Sequence, residues 1–268
     1  MIDFISHFGF RQLPFTRELT VKEQFTHPQF AETRSALLQT IDNRMSAALI
    51  APAGTGKTSV LRGVVAGLPE ARYRVTYVMI ANLSRREMAR EMATALGLPP
   101  AGSYPMLVRR LQENFKSSLE SDARRPVLFI DDAHEMRPDV LGMLRILTNF
   151  EMDSRLVVSI VLSGQPNLRE LLRRDDLEDV ARRLSHVATL SPLSRPDITT
   201  YLKHRAHAAG AKTLPLDAEA IEAIFELARG NLRATDALTL KALQLAHLKG
   251  AKVVDTNHVT EARGMLWA

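Results

Sequence analysis

Ala51-Pro-Ala-Gly-Thr-Gly-Lys-Thr58 is the stretch that decides the fold. The apolar run Ala47–Ala51 before it predicts a short buried strand, and the residues from Lys57 to about Ala66 predict a helix. A strand, a glycine-rich turn and a helix, in that order, make an anion cradle. The glycines let the backbone curl so that its N–H groups converge, and the helix start adds its partial positive charge. The spacing is that of a Walker A phosphate loop, with alanine at position 51 in place of the first glycine. Alanine is tolerated there if the backbone keeps a negative φ. Lys57 is placed to reach the β- and γ-phosphates, and the Thr58 hydroxyl to ligate Mg²⁺. Pro52, Ala53, Gly54, Thr55, Gly56 and Ser59 complete the lining. The expected ligands are ATP and Mg²⁺.

A second motif supports the first. Val127-Leu-Phe-Ile-Asp-Asp132 is four apolar residues followed by two acids, the form of a Walker B strand. Asp131 is expected to hold Mg²⁺ and Asp132 to prepare the attacking water. Glu135 lies beyond the strand end and is a weaker stand-in for that role.

Outward from these motifs the chain alternates between strand and helix. Tyr73–Ala81 is rich in β-formers, and Leu156–Ser163 reads as a further strand. Ser84 with Glu87 forms a capping box ahead of Met88, Met92, Ala95 and Leu96 at helical spacing. Leu107, Leu111, Phe115 and Leu119 mark another helix, and Pro138–Phe150 one more. This alternation predicts an α/β fold, a parallel P-loop sheet flanked by helices. After about Pro192 only helix signals recur, at Ser194, Asp217, Asn231 and Asp255-Thr256. The expected organisation is a lead-in over 1–46 packing on the core, an α/β P-loop domain over 47–192 and a small all-helical lid over 193–268. The lead-in carries Phe4, Phe8, Phe10, Phe15, Phe25 and Phe30. Phe8 and Phe15 are read either as neighbours of an adenine ring or as core staples.

Composition narrows the field. With 268 residues the chain can bury a full core, and 46% hydrophobic with 24% charged residues is an ordinary globular balance. It has no cysteine, so a disulfide framework and cysteine-ligated metals are excluded. The eight histidines show no metal-ligand spacing. The N-terminus lacks the pattern of a secretory signal, and no apolar run nears the ~20 residues of a membrane span. Together these lead to an expectation of a cytoplasmic protein that does not enter a membrane. A net charge of +5 fits either a polyanionic partner or an arginine-rich proteome.

Leu144-Arg-Ile-Leu-Thr-Asn-Phe-Glu151 and Ile160-Val-Leu-Ser-Gly-Gln-Pro-Asn-Leu168, with Phe8-Gly-Phe10 and Pro14-Phe15, resemble one branch of the AAA+ ATPases. That branch contains the ExeA-type secretion ATPases and the transposition helpers of the TniB and TnsC kind. The resemblance spans nearly the whole chain. It implies a water-orienting residue at the end of the Leu156–Ser163 strand, either Gln165 or Ser163. Leu177–Leu184 resembles the helix that ends in an arginine finger, which implies that Arg183, with Arg182 in reserve, completes a neighbour's site. Gly230-Asn-Leu-Arg233 resembles a sensor-2 motif and implies that Arg233 touches nucleotide from the lid. Asp132 departs from the glutamate frequent in such proteins; a positioning error of ~1 Å can cost ~100-fold in rate, so the rate of hydrolysis, slow or fast, depends on how this shorter carboxylate sits.

No second catalytic constellation is present, so the work of the ATPase falls on a macromolecule. The leading expectation is an oligomer, a hexameric ring or helical filament, that assembles on duplex DNA and assists a transposase. Arg85, Arg86 and Arg90, and less so Arg109, Arg110 and Lys116, are the candidate phosphate contacts; a solvated helix face explains them equally well. The alternatives are a secretion-associated ATPase and a protein-remodelling switch that does not act on DNA.

Overall fold

The computed structural model describes residues 3–79 and 82–266. The chain begins with α1 (Asp3–His7), α2 (Pro28–Asp42), β1 (Ser46–Ile50), α3 (Lys57–Ala66), β2 (Tyr73–Met79), α4 (Arg85–Ala95) and α5 (Tyr104–Glu120). It continues through β3 (Arg125–Asp131), α6 (Pro138–Leu141), α7 (Met143–Thr148), β4 (Ser159–Gly164), α8 (Asn167–Leu172), α9 (Glu178–Ala181) and β5 (Leu184–Thr189). Helices α10 (Arg195–Ala208), α11 (Ala218–Ala228), α12 (Leu232–Leu248) and α13 (Thr256–Leu266) follow. Ile80 and Ala81, part of the predicted β-rich stretch, lie outside the described residues.

Two compact units emerge. One comprises residues 28–52 and 57–190; the other comprises residues up to 27, residues 53–56 and residues from 191 onward. This grouping differs from the one expected for the lead-in. Residues up to 27 belong with the C-terminal helices, while residues 28–42 form α2 of the sheet unit.

In the sheet unit the five strands are parallel, in the order β2-β3-β4-β1-β5. Side chains alternate across a strand, so each strand serves two faces. Ala48, Ile50, Val78, Leu128, Ile130, Ile160 and Leu162 point into one core together with Met88, Met92, Leu107, Leu111 and Phe115 of α4 and α5. Ala47, Leu49, Val127, Phe129 and Val161 are equally buried on the alternate positions. Burial on both faces explains why these strands read as continuous apolar runs. The capping box forms as predicted: the Glu87 carboxylate accepts from the Ser84 hydroxyl at 2.6 Å and the Ser84 amide at 2.9 Å. In return the Glu87 amide reaches the Ser84 hydroxyl at 3.4 Å.

Three expectations are corrected here. The helix predicted over Pro138–Phe150 is two short helices that break at Gly142, the residue with the least conformational restraint. The strand predicted from Leu156 begins at Ser159. The helix read over Leu177–Leu184 is short, α9 ending at Ala181, and Leu184 already opens a fifth strand, β5, which pairs with β1.

In the C-terminal unit, Asp217 and Asn231 cap α11 and α12: their side-chain oxygens accept from the Ala220 amide at 2.7 Å and the Ala234 amide at 3.0 Å. Gly230 has φ +76°, and a Cβ built there would lie 2.1 Å from the Leu193 carbonyl oxygen, so only glycine fits. The N-terminal segment is strapped onto this unit through its backbone. The Arg205 guanidinium donates to the Thr16 carbonyl, and His204 Nε2 lies 2.9 Å from the Glu23 carbonyl. The Arg11 amide donates to the Ala209 carbonyl at 2.8 Å. Phe4, Phe8, Phe10 and Phe15 are buried within the same unit.

Candidate functional site

Parallel strands that end together bring the two motifs to one edge of the sheet unit. Ile50, the last residue of β1, pairs with Gly164 of β4, and the Ala51 amide donates to the Gly164 carbonyl at 3.0 Å. Ala51 is fully buried and is not among the residues with positive φ, so alanine serves where the pattern has its first glycine. Gly54 and Gly56 have φ +77° and +105°, the conformations that curl the loop. Lys57 opens α3, and its ammonium donates to the Ala51 and Pro52 carbonyls at 2.8 and 3.2 Å. Thr58, in the first turn of α3, is exposed and Ser59 is half-buried.

Asp131 ends β3 and is buried, and among the described residues its carboxylate accepts from two donors. The Asp132 amide donates to Oδ1 at 3.0 Å and the Tyr77 hydroxyl to Oδ2 at 2.9 Å. Burial, the bond to Asp131 and the charges of Asp131 and Asp132 all push the Tyr77 phenol up, so it stays a donor. Sequence reasoning missed Tyr77. Its signal is structural: parallel register opposes Met79 to Asp131, which sets Tyr77 two residues back on the edge strand. Asp132 adopts the left-handed region (φ 52°, ψ 34°), which aspartate tolerates better than most residues. Its side chain is 47% exposed.

The β4 end separates the two sensor candidates. Ser163 is fully buried within the strand, its hydroxyl without a hydrogen-bond partner among the described residues. Gln165 lies just past the strand, half-buried, with its amide 2.8 Å from His134 Nε2. His134 is one of the eight histidines whose spacing carries no metal-ligand signal. It follows Asp132 by two residues in a 3₁₀ turn, and its side chain is 3% exposed. Glu135 lies 3.2 Å from the same Nε2.

The remaining arginines fall into different settings. Arg183 makes a two-pronged pair with Asp153 at 2.5 and 2.7 Å and is 22% exposed. The guanidinium holds the Asp153 carboxyl below its usual range. Arg182 is 72% exposed and pairs with Glu178. Arg85 pairs with Asp139 at 3.1 Å, while Arg86 and Arg90 are exposed on α4. Arg110 is turned onto the Pro99 and Ala101 carbonyls, while Arg109 and Lys116 are exposed.

In the C-terminal unit, residues 53–56 of the loop meet the start of α12. The Asn231 amide donates to the Ala53 carbonyl at 2.6 Å, and the Arg233 amide reaches the Gly54 carbonyl at 3.3 Å. A Cβ on Gly54 would lie 2.3 Å from Asn231 Oδ1, so a side chain there would displace the carboxamide that caps α12. The Arg233 side chain is exposed. A cavity of about 110 Å³ in this unit is lined by Gln12, Phe15, Thr16, Glu18 and Arg205. Arg205, 5% exposed, forms a buried pair with Asp236 at 2.8 Å, and Tyr201 joins both.

Among the described residues no group of three or more His, Cys, Asp or Glu is placed to hold a metal ion, and no helix is long and apolar enough to cross a membrane. One carboxylate and one hydroxyl, Asp131 and Thr58, suit Mg²⁺, which keeps most of its shell as water and phosphate oxygen.

Comparison with known proteins agrees with the geometry. The pattern described as an AAA domain matches residues 39–172. The chain is 27% identical over 251 residues to the general secretion pathway protein A of Aeromonas hydrophila; the match covers 92% of this chain and 46% of that protein. The chain thus spans about half the length of that curated relative. Among solved structures it resembles Cdc6p of Pyrobaculum aerophilum, with TM-score 0.72 and 22% identity over 98% of this chain and 71% of that one. It also resembles the ORC1 protein of Aeropyrum pernix in complex with DNA, with TM-score 0.72 and 20% identity over 96% and 70%. The Holliday junction branch migration motor RuvB of Thermotoga maritima follows with TM-score 0.60 and 18% identity over 94% and 73%. At these identities the structures speak for the fold alone.

Proposed function

Because this chain belongs to the AAA domain family, we propose that it binds ATP with Mg²⁺ and hydrolyses it slowly, as an oligomer that assembles on duplex DNA and assists a transposase. The observation that carries the ATPase reading is the shared edge: a phosphate loop at the end of β1 and an acid pair at the end of β3, in one parallel sheet. When bound, Mg·ATP supplies a phosphoryl group whose transfer to water needs positioning and charge stabilisation rather than covalent help. Lys57 and the loop amides hold phosphate; Thr58 and Asp131 hold the metal. Asp132, open to solvent beside the strand end, takes the proton of the attacking water, and Gln165 orients that water. Ser163 is the lesser choice, since its hydroxyl is sealed inside the sheet. Arg233 reads the nucleotide from the start of α12.

Arg183 is the residue that completes a neighbouring subunit's site, and it must first leave Asp153 to do so. Arg182, already exposed, is its reserve. The DNA reading rests on the net positive charge and on Arg86 and Arg90, exposed on α4; Arg85 contributes after release from Asp139. Such contacts are phosphate-directed and salt-sensitive. A secretion-associated role is the second reading, favoured by the likeness to general secretion pathway protein A along nearly the whole chain.

ATPase rate with and without non-specific duplex DNA, at low and moderate salt, separates these readings when paired with electron microscopy of the mixture. Stimulation with ATP-dependent rings or filaments on DNA is the expected result. Turnover that ignores DNA at both salts, with no assemblies on it, would overturn the DNA reading and leave the second one.

A further inference from the structure

The turn after β3 places a buried histidine between the two groups assigned to the attacking water. His134 Nε2 lies 2.8 Å from the Gln165 amide and 3.2 Å from the Glu135 carboxylate. Its Nδ1 is buried, has no hydrogen-bond partner among the described residues, and lies 3.8 Å from the Asp132 carboxylate. That separation is too long for a hydrogen bond but short enough for a small side-chain turn to close. A buried ring nitrogen without a partner is costly; a carboxylate only accepts, so in the tautomer whose Nε2 accepts from the Gln165 amide, the Nδ1–H favours any Asp132 position that meets it. Gly164 lets the turn lie close to β4, since a Cβ there would come within 3.2 Å of the His134 amide nitrogen. His134 therefore has a fixed seat, and its two nitrogens face two different strand ends.

We propose that His134 is a positioning residue that couples Asp132 at the end of β3 to Gln165 at the end of β4. The acid that accepts the proton and the amide that orients the water then take up their working positions together. Gln165 carries two amide hydrogens and a carbonyl oxygen, so it can hold Nε2 through one N–H and keep its other polar groups for the water, and a shift of its carboxamide toward that water alters its hold on the ring. This inference rests on the ATP-hydrolysing reading of the site.

The test uses the full chain with His134→Ala, His134→Gln and His134→Asn. Glutamine restores an amide near the Nε2 position and asparagine one near Nδ1. Single-turnover hydrolysis, ATP and ADP affinity by a fluorescent analogue, and melting temperature are read for each. His134→Ala is expected to slow hydrolysis about 10- to 100-fold while ATP affinity stays within about twofold, and at least one amide variant should recover part of the rate. In the nucleotide-free protein, the His134 ¹⁵N-imidazole resonances should shift in both Asp132→Asn and Gln165→Ala. Wild-type hydrolysis in His134→Ala would overturn the proposal. So would a loss that follows melting temperature and ATP affinity down together with no recovery by either amide, or resonances unmoved by both partner changes. A wild-type chain that binds ATP no better than Lys57→Ala would instead overturn the ATPase reading, and this proposal with it.

Discussion

Replacing Gly230 with alanine tests how the C-terminal unit is assembled. At φ +76° an alanine pays the left-handed penalty, roughly 1–2 kcal/mol. Its Cβ would lie 2.1 Å from the Leu193 oxygen, 2.8 Å from the Leu193 nitrogen and 3.0 Å from its carbonyl carbon. Ordinary C···O approach is about 3.3 Å or more, so the backbone must yield by about 1 Å. The atoms in the way are main chain and cannot rotate aside. That shift breaks the 3.1 Å bond from the Leu193 amide to the Gly230 carbonyl, worth about 1 kcal/mol. It also disturbs Ser194, the cap of α10, for roughly another 1 kcal/mol. The sum is about 3–4 kcal/mol, or a fall in Tm of roughly 10 °C for a chain of this size. Gly250→Ala is the control: φ is +69° and nothing lies within 4 Å of its Cβ, so only the left-handed term applies. Urea unfolding of both variants beside wild type gives the comparison. Equal losses at positions 230 and 250 would refute the steric argument.

Three further outcomes follow from geometry described above. Burial pushes the Asp236 carboxyl up from 3.8 to about 7, against the pull of Arg205 and Tyr201. A carboxyl raised on folding stabilises the native state most below its ordinary range and loses that contribution as pH climbs through the raised value. Wild-type stability should therefore fall between about pH 4 and pH 7 relative to Asp236→Asn; parallel urea-stability profiles would contradict this. Ser84→Ala should cost about 1 kcal/mol by removing the cap of α4, and an unchanged urea midpoint would show that the capping box contributes nothing. Asp132→Asn should slow hydrolysis at least about 100-fold with ATP binding retained, and rapid turnover by that variant would remove Asp132 from the water-preparing role.

The parts of this protein that were legible in its sequence share a local cause. The phosphate loop, the acid pair and the helix caps are fixed by residues within one turn of each other, so spacing alone reveals them. Helix α2 was hidden because two of its five buried positions are Thr33 and Thr40, which weaken the apolar stripe. Strand β5 was hidden because only Ala188 of its six residues is buried, leaving an edge strand with little pattern. Tyr77 and His134 were missed for another reason. Tyr77 meets a carboxylate 54 residues away and His134 an amide 31 residues away, and only strand register brings such pairs together.

The N-terminal strap has a consequence for synthesis. Thr16 and Glu23 accept bonds from Arg205 and His204, partners 189 and 181 residues downstream. A ribosome adding about 5–20 residues per second takes roughly 10–40 s to make them. During that interval residues 28–190 can complete the sheet unit, while the segment that preceded them has nothing to close upon. Phe4, Phe8, Phe10 and Phe15, all buried in the finished protein, spend that time as exposed apolar surface. A segment made before the sheet unit is thus the last to find its place, because its partners come after that unit in the chain.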